Sequence, residues 1–186
     1  ISFPEYDKPS STLVKMYLGG ELGDKPSDVN AYAASTFYAV DRYASFKKHW
    51  QKEYESDKII VANRYTTSNA SHQMTKLPES EWDNYLDWLF SFEYKQMEIP
   101  QPDCVIFLDM PVEISQKLLM KRYEGDSTKK DVHERDVDYL KACHKAAEYA
   151  SRKLNWNVIT CGENGEPFSF EYIASKVYDC VKKEIL

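Results

Sequence analysis

Short apolar runs alternate along this chain with longer stretches in which apolar residues recur at helical spacing. Short β-branched runs are typical of buried strands, and strands that alternate with helices form parallel sheets with helices on both faces. The sequence therefore predicts one α/β domain spanning all 186 residues. The predicted strands cover residues 1–3, 58–62, 104–108 and 157–161.

The predicted helices fill the intervals between these strands. Ser10 or Ser11 is a suitable N-cap for the first helix, and Gly19 and Gly20 end it. Apolar spacing predicts a long helix from Ser27 or Asp28 to about residue 53. Further helices are expected over residues 79–97, 111–123 and 131–154, and up to residue 185.

The helix over residues 79–97 is rich in aromatic side chains on more than one face. We expect one face to pack on the sheet. The other face either meets a partner subunit, since large apolar patches mark interfaces, or is buried within the same domain.

Charge and cysteine usage restrict the class of function. A net charge of −6 argues against nucleic acid as the main partner, although a few focused arginines still bind a small anionic substrate. The apolar runs are too short to cross a bilayer. Without a CxxC pair, the cysteines are expected to be reduced, which indicates a cytoplasmic protein. They are Cys104, Cys143, Cys161 and Cys180.

Unusual residues follow three of the predicted strands. Sites in open α/β sheets form beyond the carboxyl ends of the strands, so these segments are expected to face one crevice. They are Phe3-Pro4-Glu5-Tyr6, Asn63-Arg64-Tyr65 and Asp109-Met110-Pro111.

Arg64 is the strongest candidate for binding an anion. A guanidinium just past a strand sits in a rigid place and suits bidentate capture of a phosphate. The alternative is a surface arginine paired with a nearby carboxylate.

Tyr38 and Arg42 lie four residues apart on the long helix and therefore share a face. A ring that stacks on a base, with a guanidinium one turn away, is a plausible base pocket. The alternative is a tyrosine in an ordinary core stripe.

A basic, polar segment follows the helix that ends near Tyr123. Its side chains Arg122, Lys129 and Lys130 are suited to close over phosphates as a lid at about residues 122–133. The alternative is a solvated run of charges.

Taken in their order along the sequence, these motifs resemble those of the thymidylate kinase family over nearly the whole chain. Phe3-Pro4-Glu5-Tyr6 resembles the family's FPxx motif, and Asn63-Arg64-Tyr65 resembles its DRY motif. Tyr38-Ala39-Val40-Asp41-Arg42 resembles its F-x-A-x-R segment, and Thr67-Ser68-Asn69-Ala70 with Gln73 resembles its thymine-contacting stretch. Pro102-Asp103 and the stretch from Asp131 to Glu134 also fall in place.

The resemblance implies a role for each matching residue. Tyr38 stacks on thymine, Arg42 with Asn69 or Gln73 bonds the base, and Arg64 holds the acceptor phosphate. His133 sits where some relatives carry a tyrosine near the sugar. The implied substrate-binding set is Phe3, Pro4, Glu5, Tyr6, Tyr38, Arg42, Arg64, Ser68, Asn69, His72, Gln73 and His133; the implied catalytic set is Asn63, Arg64, Arg122, Lys129 and Lys130.

The chain departs from the family pattern at three points. Asn63 replaces the aspartate of DRY, and His72 replaces the usual tyrosine near the sugar. No GxxxxGK[ST] phosphate loop occurs in the sequence. We expect the natural protein to carry a first strand, phosphate loop and first helix before Ile1.

The resemblance implies phosphoryl transfer from ATP to thymidine monophosphate, with Mg²⁺, in a cytoplasmic homodimer. Two alternatives stay open. One is a related kinase for another pyrimidine nucleotide or a deoxynucleoside, and the other is a nucleotide-binding protein without catalysis.

Overall fold

The computed structural model describes residues 1–123 and 136–185 of the chain, and most of them are helical. The α-helices are α1 (Thr12–Leu18), α2 (Ala31–Ser45), α3 (Gln51–Glu55), α4 (Thr66–His72), α5 (Trp82–Phe90), α6 (Val112–Arg122), α7 (Val137–Lys153) and α8 (Phe170–Glu184). The strands are β1 (Ile106–Asp109), β2 (Asn157–Thr160), β3 (Gly162–Glu163) and β4 (Glu166–Pro167).

Parallel pairing defines the sheet. Strands β1 and β2 run parallel, in a register from Ile106 opposite Asn157 to Asp109 opposite Thr160. A single parallel bridge joins Ser2 to Asn63. Parallel strands connected through helices confirm the predicted α/β class. Strands β3 and β4 form a short antiparallel hairpin.

The segment over residues 58–62, predicted as a buried strand, is mostly exposed and is not a regular strand, although Val61 O accepts a hydrogen bond from the N-terminal ammonium of Ile1 at 2.8 Å. Beside it, the backbone N–H of Phe3 donates to Asn63 O at 3.0 Å, and that of Asn63 donates to Ile1 O at 2.9 Å. Ile59 and Val61 are 58% and 76% exposed. β-Branched composition favours an extended backbone, but burial requires a covering element, and no described residue covers these two side chains.

The long helix is continuous from α2 to α3 through a π-helical turn, Phe46–Trp50. It begins later than predicted, because Pro26–Asp28 forms a 3₁₀ turn and Asn30 is the N-cap. The Asn30 side chain accepts a hydrogen bond from Ala33 N at 2.8 Å. The capping residue therefore fixes where the helix starts, and with it which side chains face the interior.

Helix α5 itself packs on other helices, whereas Tyr94, in the turn that continues it, packs on a cluster with Phe3 of the extended N-terminal segment. Its residues Trp82, Tyr85, Leu86 and Leu89 are buried in one core cluster with small side chains of α7. Ala146 and Ala150 are small, so the aromatic side chains of α5 fill the space between the helices of this cluster. A π-helical turn, Ser91–Gln96, continues α5.

Two expectations lie beyond the described part of the chain. Residues 124–135, which contain most of the predicted lid, are outside it. The expected segment before Ile1 is not confirmed and stays a prediction. Among the described helices, none has the length and apolar character needed to traverse a membrane.

Candidate functional site

A cleft of about 230 Å³ opens beside the ends of the extended segments that carry Phe3 and Asn63. It brings together residues from distant parts of the sequence. Its lining consists of Phe3, Pro4, Tyr6, Leu18, Tyr38, Arg42, Arg64, Tyr65, Ser68, Asn69, His72, Leu119 and Leu140.

The loop after Phe3 is held in place by Asp41, a buried carboxylate on α2. Its Oδ2 accepts a hydrogen bond from Glu5 N at 2.8 Å, and its Oδ1 accepts one from Ser10 Oγ at 2.6 Å. Asp41 therefore fixes one wall of the cleft, although the next residue, Arg42, is the one whose side chain lines it.

Arg64 occupies an unusual backbone conformation at the edge of the cleft. Its φ is +63°, in the left-handed region that non-glycine residues seldom adopt. Residues held in this way cluster at functional sites, where surrounding contacts maintain them. The conformation lies between the extended segment and α4.

His72 holds the exposed Arg64 side chain. Arg64 Nη2 lies 2.6 Å from His72 Nε2. Because a guanidinium has no acceptor, Nε2 must accept this hydrogen bond, and the imidazole in this arrangement is neutral with its proton on Nδ1. The Arg64 guanidinium is therefore oriented by the helix that follows it.

The other side of His72 faces α7. Its Nδ1 lies 3.5 Å from Cys143 Sγ, and its backbone carbonyl accepts a hydrogen bond from Tyr139 OH at 2.9 Å. Burial raises the pKa of the Cys143 thiol to about 12, so this sulfur stays protonated at neutral pH. His72 thereby links Arg64 to α7.

Behind the cleft, Arg42 and Glu93 form a buried ion pair. Arg42 Nε donates to Glu93 Oε2 at 2.7 Å, and Nη2 donates to Oε1 at 2.5 Å. The two side chains are 2% and 0% exposed. Burial alone lowers the pKa of Arg42, but the charge and hydrogen bonds of Glu93 outweigh it and raise that pKa.

The ion pair belongs to a larger set of buried polar side chains, which we call the buried polar network. Thr66 Oγ1 donates to Glu93 Oε2 at 2.9 Å. The hydroxyls of Ser35 and Tyr85 lie 2.6 Å apart, and burial raises the pKa of Tyr85. The network consists of Ser35, Arg42, Thr66, Asn69, Tyr85 and Glu93.

The structure brings most of the sequence-predicted binding residues to the cleft. Glu5 is a correction, because its Oε1 accepts from Ser45 Oγ at 2.8 Å and the side chain turns toward α2. Gln73 is a second correction, since the chain turns inward after α4 and buries it beside Met74. The predicted residues that do line the cleft are Phe3, Pro4, Tyr6, Tyr38, Arg42, Arg64, Ser68, Asn69 and His72.

Fewer of the predicted catalytic residues than of the predicted binding residues line the cleft. Asn63 is exposed outside the cleft lining, and its Nδ2 donates to Ser2 Oγ at 3.2 Å. Arg122 is exposed at the end of α6 and does not line the cleft either. The predicted lid residues Lys129 and Lys130, and the predicted sugar contact His133, lie outside the described residues.

Sequence reasoning missed two carboxylates and several apolar contributors. Asp41 sits inside the motif that was recognised, so its place beside Arg42 was the available signal. Glu93 offered no such signal, because an acidic residue between two aromatics reads as the solvent-facing side of a helix. The apolar residues missed in the lining are Leu18, Leu119 and Leu140, whereas Tyr65 belongs to the segment Asn63-Arg64-Tyr65 that was expected to face the crevice.

The described residues do not form a magnesium site by themselves. Residues 1–123 and 136–185 contain no group of three or more His, Cys, Asp or Glu side chains that could hold a metal ion. Asn63 brings an amide where a carboxylate would bring negative charge, and Mg²⁺ prefers charged oxygen ligands.

The fold is of the P-loop kinase type. The structure matches that of the thymidylate kinase from Candida albicans with a TM-score of 0.64, over 98% of this chain and 78% of the other. Sequence identity is 13%, so this likeness concerns the fold alone.

The chain belongs to the thymidylate kinase family, whose family model matches residues 2–167. It is 27% identical over 140 residues to thymidylate kinases from two strains of Mycobacterium tuberculosis, CDC 1551 / Oshkosh and ATCC 25618 / H37Rv. The match covers 74% of this chain and 64% of the length of each relative.

Proposed function

We propose that the protein transfers the terminal phosphoryl group of ATP to thymidine monophosphate, giving ADP and thymidine diphosphate. One observation carries the proposal. Tyr38 and Arg64 line the same cleft, with the buried Arg42–Glu93 pair behind it. The Tyr38 ring and the inner guanidinium of Arg42 match the base of a nucleotide, and the outer guanidinium of Arg64 matches its phosphate.

The inner end of the cleft takes the base. Tyr38 stacks on the pyrimidine ring, because aromatic faces bind bases through stacking. Arg42 and Asn69 contact its polar edge. Phe3, fixed in the loop that Asp41 anchors, forms an apolar wall beside the ring.

The outer end takes the 5′-phosphate. Arg64 binds it, since a guanidinium matches phosphate oxygens in a bidentate manner. Charge develops on the transferring phosphoryl group in this reaction, so positioned cations matter more than a general base. In this proposal, Arg122, Lys129 and Lys130 supply the cations of the lid, and His72 and His133 contact the sugar.

The natural protein uses Mg²⁺ held mainly by the phosphates of ATP, as is usual for this ion in kinases. We also propose a cytoplasmic homodimer. Both parts rest on the family relationship, and sedimentation of the full-length protein tests the dimer.

The test of the reaction is coupled ADP release by the full-length protein with ATP, Mg²⁺ and thymidine monophosphate. Turnover is expected to depend on all three. If no nucleoside monophosphate is phosphorylated, the proposed reaction is wrong. Deoxyuridine monophosphate and free deoxynucleosides, assayed in parallel, test the related-kinase alternative.

A second candidate is a protein that binds nucleotide without transferring phosphate, and the exposed Asn63 outside the cleft favours it. The Asn63→Asp variant separates the two functions. Equal turnover in wild type and variant supports the kinase. Turnover that appears only in the variant supports a nucleotide-binding role for the native protein.

A further inference from the structure

We propose that Glu93 is a positioning residue for the base: it holds Arg42 and Asn69 in the orientation in which these two side chains discriminate thymine and uracil from cytosine. The inference rests on the proposed function, because it concerns the same cleft. It adds a residue that does not line the cleft, and it names the base class that this residue admits.

Several side chains at the base end of the cleft donate hydrogen bonds to the Glu93 carboxylate. It accepts hydrogen bonds from Arg42 Nε and Nη2 at 2.7 and 2.5 Å and from Thr66 Oγ1 at 2.9 Å. Asn69 Nδ2 lies 3.4 Å from its Oε1. Two of these donors, Arg42 and Asn69, also line the cleft.

Glu93 fixes which end of the Asn69 amide faces the cleft. Asn69 Nδ2 approaches Glu93 Oε1 and the backbone carbonyl of Ser35, each at 3.4 Å. Both of these partners are acceptors, so the amide NH₂ must face them. The amide oxygen is then left as the atom of Asn69 with which to accept a hydrogen bond from a ligand.

Glu93 fixes the Arg42 guanidinium in the same way. The carboxylate takes Nε and Nη2, which leaves the Nη1 edge of the guanidinium for the cleft. A bidentate pair holds the plane of the guanidinium as well as its position. Arg42 therefore presents a donor next to the acceptor that Asn69 presents.

A donor beside an acceptor matches one class of pyrimidine. Thymine and uracil offer a carbonyl oxygen beside a ring N–H, whereas cytosine offers an amino group beside an unprotonated ring nitrogen. With cytosine, the guanidinium would face the amino group and the amide oxygen would face a lone pair. Sites that leave buried polar groups unpaired reject a ligand by large factors.

The test is the Glu93→Gln variant of the full-length protein, which keeps the side-chain shape and removes the charge. A glutamine also offers an amide NH₂ that competes for acceptors, so the Asn69 amide is free to turn. We expect the KM for thymidine monophosphate to rise at least tenfold. The preference for thymidine over deoxycytidine monophosphate in kcat/KM should fall at least tenfold, while kcat and the KM for ATP change less than threefold.

Two further variants separate positioning from simple loss of stability. Leu86→Ala removes a buried side chain of α5 that is not in the cleft lining, and it should lower thermal stability while keeping the base preference. Glu93→Asp retains the charge but withdraws the carboxylate by one methylene. Glu93→Asp replaces Glu93→Gln in the test if the latter does not fold. Its preference for thymidine over deoxycytidine monophosphate should be smaller than that of the wild type.

The outcomes distinguish the two proposals. Wild-type turnover of thymidine monophosphate, combined with an unchanged base preference in the Glu93 variants, overturns the role of Glu93 and leaves the proposed function standing. An equal loss of preference in Leu86→Ala also overturns it. A wild-type protein that binds no nucleoside monophosphate overturns both.

Discussion

The buried polar network and the strands differ in a way that hydropathy alone does not predict. Glu93 and Arg42 are almost fully enclosed, whereas the apolar side chains of Leu108 in β1 and Val158 in β2 are each 49% exposed. Some of the most deeply buried large side chains beside the cleft are thus charged. Burial in this part of the molecule follows the needs of the site more closely than the polarity of the side chain.

The two regions are expected to respond differently to substitution. A buried ion pair adds little net stability compared with a well-packed apolar pair, but removing one partner leaves an uncompensated charge. A half-exposed apolar side chain loses little when it is shortened, because much of its surface already contacts water. The network should therefore be sensitive to change, and the strands tolerant.

The largest expected effect is on stability in Glu93→Ala. The substitution leaves the Arg42 guanidinium buried without its counter-charge, which costs about 3–5 kcal/mol in the free energy of unfolding. Chemical denaturation measures it, with Leu108→Ala as the matched substitution in β1. If both variants lose the same stability, the proposed difference between the buried polar network and the strands is wrong. If the double variant Arg42→Met, Glu93→Met regains most of the stability lost in Glu93→Ala, the unpaired buried charge is the cause of that loss.

The next effect concerns the mouth of the cleft. Arg64→Ala should weaken binding of thymidine monophosphate by about 10- to 100-fold, because a charged hydrogen bond contributes about 1.5–3 kcal/mol. Arg122→Ala, at the exposed end of α6, should change affinity much less. Isothermal titration compares them, and equal losses would contradict the assignment of Arg64.

The smallest expected effect is the pH dependence of stability due to Lys76. Its Nζ donates to Tyr17 OH at 2.9 Å and to Val29 O at 2.6 Å, and burial lowers its pKa to about 8. Between that value and the usual 10.5, the unfolded chain binds more protons than the folded one, so stability rises with pH.

Lys76→Met removes this contribution and is the control. Unfolding free energies of both proteins, measured from pH 7 to pH 10.5, give the difference between wild type and variant. That difference should grow in favour of the wild type by about 1–2 kcal/mol as pH rises, after allowing for solvent screening of the partly exposed ammonium. A difference that stays constant with pH contradicts the lowered pKa.

The sequence predicted the helices better than the strands. The spacing of apolar residues and the Gly19-Gly20 stop are local signals, and α1, α2, α5 and α8 lie close to the predicted ranges. The segment over residues 58–62 has the composition of a buried strand. Its exposure depends on what packs against it, and that information is absent from the segment itself.

The sequence predicted those residues of the cleft that belong to recognisable motifs. Tyr38, Arg42, Arg64 and Asn69 meet at one cleft because each lies in a segment with a recognisable pattern. The partner of Arg42 was not predictable, since 51 residues separate Glu93 from it and one sequence contains no signal for such a pairing. The missed residues are those whose roles come from long-range packing.

The π-helical turn at Ser91–Gln96 has a consequence for how sequences of this kind can change in length. Such a turn is an α-helix that has gained one residue, and losing that residue lets the coil tighten again. Each residue of an α-helix advances the side-chain direction by about 100°. A one-codon deletion just before Glu93 would rotate the Glu93 carboxylate away from the Arg42 guanidinium, although Glu93 itself would still be present. The number of residues in this turn therefore matters as much as the presence of the acidic residue.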